Sequence, residues 1–275
     1  MKAVCVICPH RCKLSEGGKG LCGARIMSAG KVISESYGKI TSIALDPIEK
    51  KPLKRFMSGS MILSVGSYGC NLKCPFCQNY SISTECGFSR DTVYLSPQEL
   101  IAKALDLRSS GNIGVAYTYN EPLIGYEYVY DCAVLARENG LKSVAVTNGY
   151  INESPLIKLL PYIDAMNIDL KAFNADFYKK IGGGLEEVKR TIEISSNKCH
   201  IEVTTLIIPG ENDGEDEIGN LSLWLSSVDR NIPLHISRFF PRYRYQDKLP
   251  TPVDKVYRLA DIARKHLKYV YTGNC

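Results

Sequence analysis

The chain has 275 residues, 45% apolar and 23% charged, enough to bury a core in one large domain or a domain with a small appendage, and this excludes global disorder. Its net charge of +5 is a mild excess that tolerates acidic partners without demanding nucleic acid. No window approaches the roughly 18 consecutive apolar residues of a membrane span, and the start lacks a signal-peptide apolar stretch, so a soluble, cytoplasmic protein without a membrane partner is expected.

Residues 1–58 open on a dense cysteine group, Cys5-x2-Cys8-x3-Cys12-x9-Cys22. Eleven cysteines in a reducing compartment are no disulfide set, and clustering at ligand spacing points to metal. Four thiolates, with Gly17, Gly18, Gly20 and Gly23 for tight loops, suit structural zinc or an auxiliary iron–sulfur cluster, with His10 as a competing ligand. A region of roughly 25 residues with little apolar content has trouble ordering without such a centre; four cysteines that hold no metal are the plainer alternative. A small β unit over Lys31–Leu45 and a basic turn from Asp46 to Pro52 follow. We read 1–58 as a Cys-rich metal-binding appendage and 59–275 as the main domain.

From residue 60, β-branched runs alternate with amphipathic stretches. Strands are predicted at Met61–Gly66, Ile113–Thr118, Ser143–Thr147, Ala165–Leu170, His200–Ile207 and Pro233–Arg238, with a tail strand at Tyr269–Thr272. Each is a nearly continuous apolar run, as parallel strands buried on both faces require. Helices are predicted to start at Ser96-Pro97-Gln98-Glu99, which has capping-box chemistry, and at Ser154-Pro155 and Thr251-Pro252. In the last helix Val256, Leu259, Ala260, Ala263 and Leu267 share one face. The repeat implies an α/β fold, a partial parallel (β/α)6 TIM-like barrel, with chemistry at the C-terminal strand ends.

Those strand ends carry the motifs. After the first strand comes Cys70-x3-Cys74-x2-Cys77, with Phe76 before the third cysteine. Three thiolates grip three corners of a cubane cluster and leave its fourth iron open, as a catalytic metal requires; zinc, or three buried cysteines, is the plainer alternative. The next ends carry Tyr119-Asn120-Glu121-Pro122, Thr147-Asn148-Gly149, Asp169-Leu170-Lys171 and Pro209-Gly210-Glu211-Asn212-Asp213. His235 lies in the sixth strand and reads as an inward-facing core residue, a cofactor-pocket residue or a general base; Arg238–Tyr245 interleaves basic and aromatic residues, as a lid or docking loop or a single-strand nucleic-acid platform does. Cys86, Cys132 and Cys199 read as small buried residues, and Cys275 as incidental.

Taken in order, these motifs resemble the radical S-adenosylmethionine (SAM) superfamily. With Cys-x2-Cys-Pro-His-x-Cys at the start and Tyr271-Thr-Gly-Asn at the end, the whole chain is similar to the AmmeMemoRadiSam enzymes, a branch like the pyruvate formate-lyase activating enzymes. The resemblance implies a [4Fe–4S] cluster on Cys70, Cys74 and Cys77 whose open iron is chelated by S-adenosyl-L-methionine. Reductive cleavage then gives methionine and a 5′-deoxyadenosyl radical that abstracts a substrate hydrogen. It assigns cofactor binding to Tyr119, Asn120, Glu121, Thr147, Asn148, Asp169, Lys171 and His235, with Glu121 on the cofactor's amino group. Val146 stands where the activating enzymes carry an acid of a monovalent-cation site. A low-potential electron donor of flavodoxin or ferredoxin type is implied, and a glycyl-radical enzyme is the expected protein substrate. Radical modification of a small molecule or RNA is the second class, and a non-enzymatic zinc-binding interaction module the third.

Overall fold

Continuous β-branched runs fold as the spine of one eight-stranded sheet. In the computed structural model, which describes residues 2–84 and 91–275, the strands are β6 (Ser42–Pro47), β7 (Met61–Gly66), β9 (Asn112–Tyr117), β10 (Lys142–Thr147), β11 (Ala165–Asp169), β12 (His200–Ile207), β13 (Leu234–Arg238) and β14 (Val270–Gly273). They lie in the order β14-β13-β12-β11-β10-β9-β7-β6. All neighbours from β7 to β14 pair in parallel, whereas β6 runs antiparallel along the full length of β7. The predicted tail strand thus joins the sheet as a seventh parallel member. The sequence boundary near residue 58 falls between two paired strands, β6 and β7. Cys86 lies outside the described residues.

Before β6 the chain makes only short ladders: β1 (Lys2–Val4) with β2 (Lys13–Ser15), and β3 (Arg25–Ser28) with β4 (Lys31–Ser34). A further pair joins β5 (Lys39–Ile40) to β8 (Val93–Tyr94).

Helices cover the outer face of the sheet. Buried Leu100 and Ala104, Ala133 and Ala136, Val188 and Ile192, and Leu259 and Ala263 press their helices onto it. Ser96 closes the predicted capping box with Glu99 and starts the helix Pro97–Asp106. The other two predicted starts shift. The helix Glu153–Leu159 begins after Asn152, so Pro155 sits within the first turn, where its missing N–H has no intrahelical acceptor to satisfy. Thr251 does not cap Val253–Arg264. Its buried hydroxyl donates to the Ile207 carbonyl at 2.6 Å and accepts from Phe239 N–H at 3.3 Å, tying the ends of β12 and β13 together.

A second, smaller core fills the barrel's interior. Ile62, Ala116, Val144 and Ala165, one from each of four adjacent strands, meet Ile48 and Leu53, which the turn after β6 inserts between them. Ile48 and Leu53 are fully buried, and each such side chain stabilises the packing by about 1.5–3 kcal/mol. Polar bonds fix this plug to the strands. Asn167 Nδ2 donates to the Pro52 carbonyl at 2.8 Å, and Glu202 accepts the N–H groups of Lys54 (3.0 Å) and Arg55 (2.7 Å). Residues 48–55 therefore form a floor at the N-terminal end of the barrel.

Candidate active site

The loop after β7 carries Cys70, Cys74 and Cys77 against a cavity of about 300 Å³ at the C-terminal end of the strands. Gly69 enters this loop at φ +87°, and a Cβ there would stand 2.4 Å from the Cys22 carbonyl oxygen, so only glycine fits. Asn120 clamps the loop from the side. Its Oδ1 accepts Ser67 N–H at 2.9 Å and its Nδ2 donates to the Tyr68 and Gly69 carbonyls, each at 3.1 Å.

The three thiols are prepared for a thiolate-binding group. Burial pushes all three up, Cys74 to about 12 and Cys70 well above its ordinary value. Against that, donors aim at sulfur: Leu72 N–H lies 3.4 Å from Cys70 Sγ and Asn148 Nδ2 3.6 Å from it, and Asn79 N–H reaches Cys77 Sγ. The Lys171 ammonium also favours ionised Cys74 and Cys77. Among the described residues no three His, Cys, Asp or Glu side chains gather tightly enough to share one metal ion, whereas a cubane cluster takes each thiolate on a separate iron. The donor set thus fits an iron–sulfur cluster.

Strand ends supply the rest of the cavity wall. Glu121, buried after β9, accepts Thr147 Oγ1–H at 2.7 Å, Asn148 N–H at 2.8 Å and Leu123 N–H at 3.0 Å. It therefore fastens the β9 loop to the β10 loop. Burial outweighs these donors and raises its carboxyl to about 7. Asp169 and Lys171 form an ion pair of 2.7 Å on the cavity wall. Burial opposes the lysine's charge, but Asp169 and Cys74 hold it above its ordinary range. Tyr119 adopts φ +71°, which is strained for a tyrosine. Its carbonyl accepts from Asn79 Nδ2 at 2.7 Å, its hydroxyl donates to Asp46 at 3.0 Å, and the Lys51 ammonium lies 4.9 Å from its ring centre. Val146 also lines the cavity.

The structure thus brings Tyr119, Asn120, Glu121, Thr147, Asn148, Asp169 and Lys171 together with the three cysteines, and leaves His235 apart. His235 lies two residues below Ser237, the β13 residue that does line the cavity. Its Nε2 pairs at 2.5 Å with Glu202, which also takes His200 Nε2 at 3.0 Å. Burial opposes the charge of Glu202, but both histidines and the Arg55 and Lys54 N–H groups lower its carboxyl to about 2. His235 is a floor residue, and Glu202, unremarkable inside an apolar strand run, is the group that organises it.

The N-terminal cysteines pack against the cysteine loop. Cys5, Cys8 and Cys22 are buried and Cys12 half-buried. Cys70 N–H donates to the Cys22 carbonyl at 3.2 Å. The sulfurs of Cys8 and Cys22 accept backbone N–H from His10 and Ala24, two residues on, just as Cys70 and Cys77 do from Leu72 and Asn79. His10 is engaged elsewhere, donating through Nε2 to the Asn71 carbonyl at 2.8 Å. Across the mouth, the loop after β13 folds onto the same segment. Arg244 N–H donates to the Pro75 carbonyl at 2.9 Å, Tyr243 stacks on Tyr80, and Tyr245 donates to Glu211 at 2.7 Å. Tyr243 and Tyr245 are thus engaged within the protein, in keeping with a lid, whereas Phe240 stays exposed beside the Arg238 guanidinium.

Comparison with known proteins agrees with this arrangement. A profile of the radical SAM superfamily matches residues 64–221, more than half of the chain. An uncharacterized protein of Methanocaldococcus jannaschii is 41% identical over 280 residues, spanning 99% of this chain and 81% of its own. The pyruvate formate-lyase-activating enzyme of Clostridium pasteurianum is 27% identical over 173 residues, 60% of this chain and 68% of that enzyme. In structure, Streptococcus suis SuiB bound to S-adenosylmethionine superposes with a TM-score of 0.60 over 76% of this chain and 48% of its own, at 14% identity, a likeness of fold. The cysteine loop at the first parallel strand end, the strand-end wall around it and the match over residues 64–221 make this chain a member of the radical SAM superfamily.

Proposed function

We propose that the protein binds a [4Fe–4S] cluster through Cys70, Cys74 and Cys77, binds S-adenosyl-L-methionine in the adjoining cavity, and activates a glycyl-radical enzyme. The observation that carries this reading is the convergence of Cys70, Cys74 and Cys77, the first of them held by Leu72 N–H and Asn148 Nδ2, with Glu121, Asn148, Asp169 and Lys171 on one cavity. When bound, the cluster and cofactor supply one-electron cleavage to methionine and a 5′-deoxyadenosyl radical. The chain's own work is positioning. Asn148 and the loop N–H groups stabilise thiolate charge, and the Glu121 carboxylate accepts from the cofactor's ammonium in a charge-assisted bond. Asp169 accepts from ribose hydroxyls, and Lys171 attracts the cofactor carboxylate. The lid loop and the floor limit water around the reacting atoms.

A protein substrate is favoured by the similarity to a pyruvate formate-lyase-activating enzyme over 60% of the chain. The electron comes from a flavodoxin- or ferredoxin-type donor, and the place of action is the cytoplasm; no helix among the described residues is long and apolar enough to cross a membrane. Cys5, Cys8, Cys12 and Cys22 hold a second metal centre, supported by the N–H bonds to the sulfurs of Cys8 and Cys22. The test is anaerobic reconstitution with dithionite and S-adenosylmethionine, which should release 5′-deoxyadenosine. Co-expression with candidate partners should yield a glycyl-radical electron spin resonance signal. Cleavage without any such signal on protein would move the substrate to a small molecule or RNA, and absence of cleavage by a fully loaded protein would overturn the enzyme reading.

A further inference from the structure

The cysteine loop has two sides. Cys70, Cys74, Phe76 and Cys77 line the cavity, whereas Lys73 and Pro75, interspersed among them, do not. On that outer side Lys73 N–H donates to the Ile181 carbonyl at 2.8 Å, and the Pro75 carbonyl accepts Arg244 N–H at 2.9 Å. Tyr245 covers Phe76, with ring centres 6.1 Å apart, and the ammonium groups of Lys180 and Lys248 lie 5.5 and 4.8 Å from the Tyr245 ring centre. Glu211 pairs with these two lysines at 2.8 and 3.4 Å, so one carboxylate faces two cations. Lys73, Arg242 and Arg244 are exposed beside them, and among the described residues none of the three pairs with an acid. The other acids here are exposed Asp247 and Asp176, the latter bonded to Lys179. The outside of the cysteine loop is therefore a basic rim.

None of Lys73, Lys180, Arg242, Arg244 and Lys248 lines the cavity. A group held by this loop can be approached through the cavity or through the loop itself, and a cofactor in the cavity closes the first route. A protein that delivers electrons is left with the outer side of the loop. We propose that Lys73, Arg242 and Arg244, with Lys180 and Lys248, form the docking face for an acidic one-electron carrier protein, the flavodoxin- or ferredoxin-type donor. This rests on the reading of Cys70, Cys74 and Cys77 as cluster ligands. A rim of one sign steers an oppositely charged partner and fixes its orientation, and salt screens that steering. RNA carries the same sign of charge as such a donor, but binding single strands takes free rings for the bases to stack on. The tyrosines of this face, Tyr243 and Tyr245, are already packed on Tyr80 and Phe76.

The test uses the full chain, reconstituted anaerobically, as wild type, a rim double reversal (Lys73→Glu with Arg242→Glu) and a control double reversal of equal charge (Lys158→Glu with Lys198→Glu). Lys158 and Lys198 are exposed and lie before β11 and β12, at the floor end of the barrel. Iron, sulfide and dithionite-driven release of 5′-deoxyadenosine are read first, and their absence in wild type defeats the cluster reading before any donor is added. Each protein is then driven by a reduced flavodoxin and by a reduced [4Fe–4S] ferredoxin, at low and at high salt. Wild type should be faster at low salt. The rim variant should lose about tenfold of its low-salt rate with donor protein, together with most of the salt dependence, and keep its dithionite rate; the control should match wild type. Donor-driven rates unchanged in the rim variant would overturn the docking face, as would an equal loss in the control, a wild type that neither donor reduces, or a fully loaded rim variant that loses dithionite-driven release as well. Weakened binding of a single-stranded RNA oligonucleotide with donor rates intact would give the face to nucleic acid and overturn the proposal too. Should Lys73→Glu, beside a cluster ligand, prevent loading, Arg242→Glu alone decides on the same terms.

Discussion

Glu121 and Glu202 are both buried in one barrel and both accept several hydrogen bonds, yet their surroundings drive them in opposite directions. At the mouth, Glu121 takes three donors and no cation, and burial raises it to about 7. At the floor, Glu202 takes two histidines and two backbone N–H groups, and is lowered to about 2. The floor carboxylate has its full set of partners within the chain. The mouth carboxylate meets three neutral donors, and a positively charged group entering the cavity would lower it. One end is closed by the chain's own groups, and the other faces a cavity.

The sharpest way to break this comparison is to strip the mouth of its ligands. Cys74→Ala should lose the catalytic cluster and all detectable 5′-deoxyadenosine formation, while circular dichroism and the melting curve show the floor still sealed. Cleavage retained with a full iron complement would refute the cysteine assignment. At the floor, Glu202→Leu strands both histidine contacts and the Lys54 and Arg55 N–H groups, and should cost about 3–5 kcal/mol in urea unfolding, as breaking a buried charged network does. Its folded fraction should still bind S-adenosylmethionine. Loss of binding at unchanged stability would mean that the floor belongs to the site.

Acidity separates the two ends without mutation. Glu202 has a depressed folded-state value, so its contribution is complete above the ordinary value of 4.5 and is lost as pH falls toward about 2. Glu121 has a raised one, so the metal-free protein should lose stability as pH climbs from 4.5 through about 7, then level off. Each window is worth on the order of 3 kcal/mol. Unfolding free energies measured across pH should show the upper window in wild type and not in Glu121→Gln. The same variant tests the open partner. Losing a charge-assisted bond should weaken S-adenosylmethionine binding roughly tenfold to a hundredfold by calorimetry, and undiminished affinity would remove Glu121 from the cofactor's ammonium. The smallest effect lies away from both ends. Ser96→Ala should cost about 1 kcal/mol of stability through the lost capping box and leave binding untouched.

The mouth was largely legible in the sequence and the floor was not, for a physical reason. The mouth is written as short motifs, each at the end of a strand whose apolar run marks it. Cys70, Glu121, Asn148 and Lys171 converge because parallel strands bring their ends together. The floor depends on Glu202 meeting Lys54 and Arg55 across about 150 positions, and one acid inside His200–Ile207 gives no local sign of that. For His235 the sequence leaves an inward-facing core position and a cofactor-pocket position both open, because the alternation of a strand gives the face of a side chain and not its depth; its bond to Glu202 decides for the core.

The floor also sets a timetable. Ile48 and Leu53 leave the ribosome long before Glu202, the residue that pins their segment in place. At synthesis rates of roughly 5–20 residues per second, the wait is on the order of ten seconds. For much of that interval the nascent chain holds an apolar plug whose socket is completed only with Ala165 and whose polar pin comes later still with Glu202, a period in which chaperone binding would protect it. The first part of the barrel to be made is thus among the last to be seated.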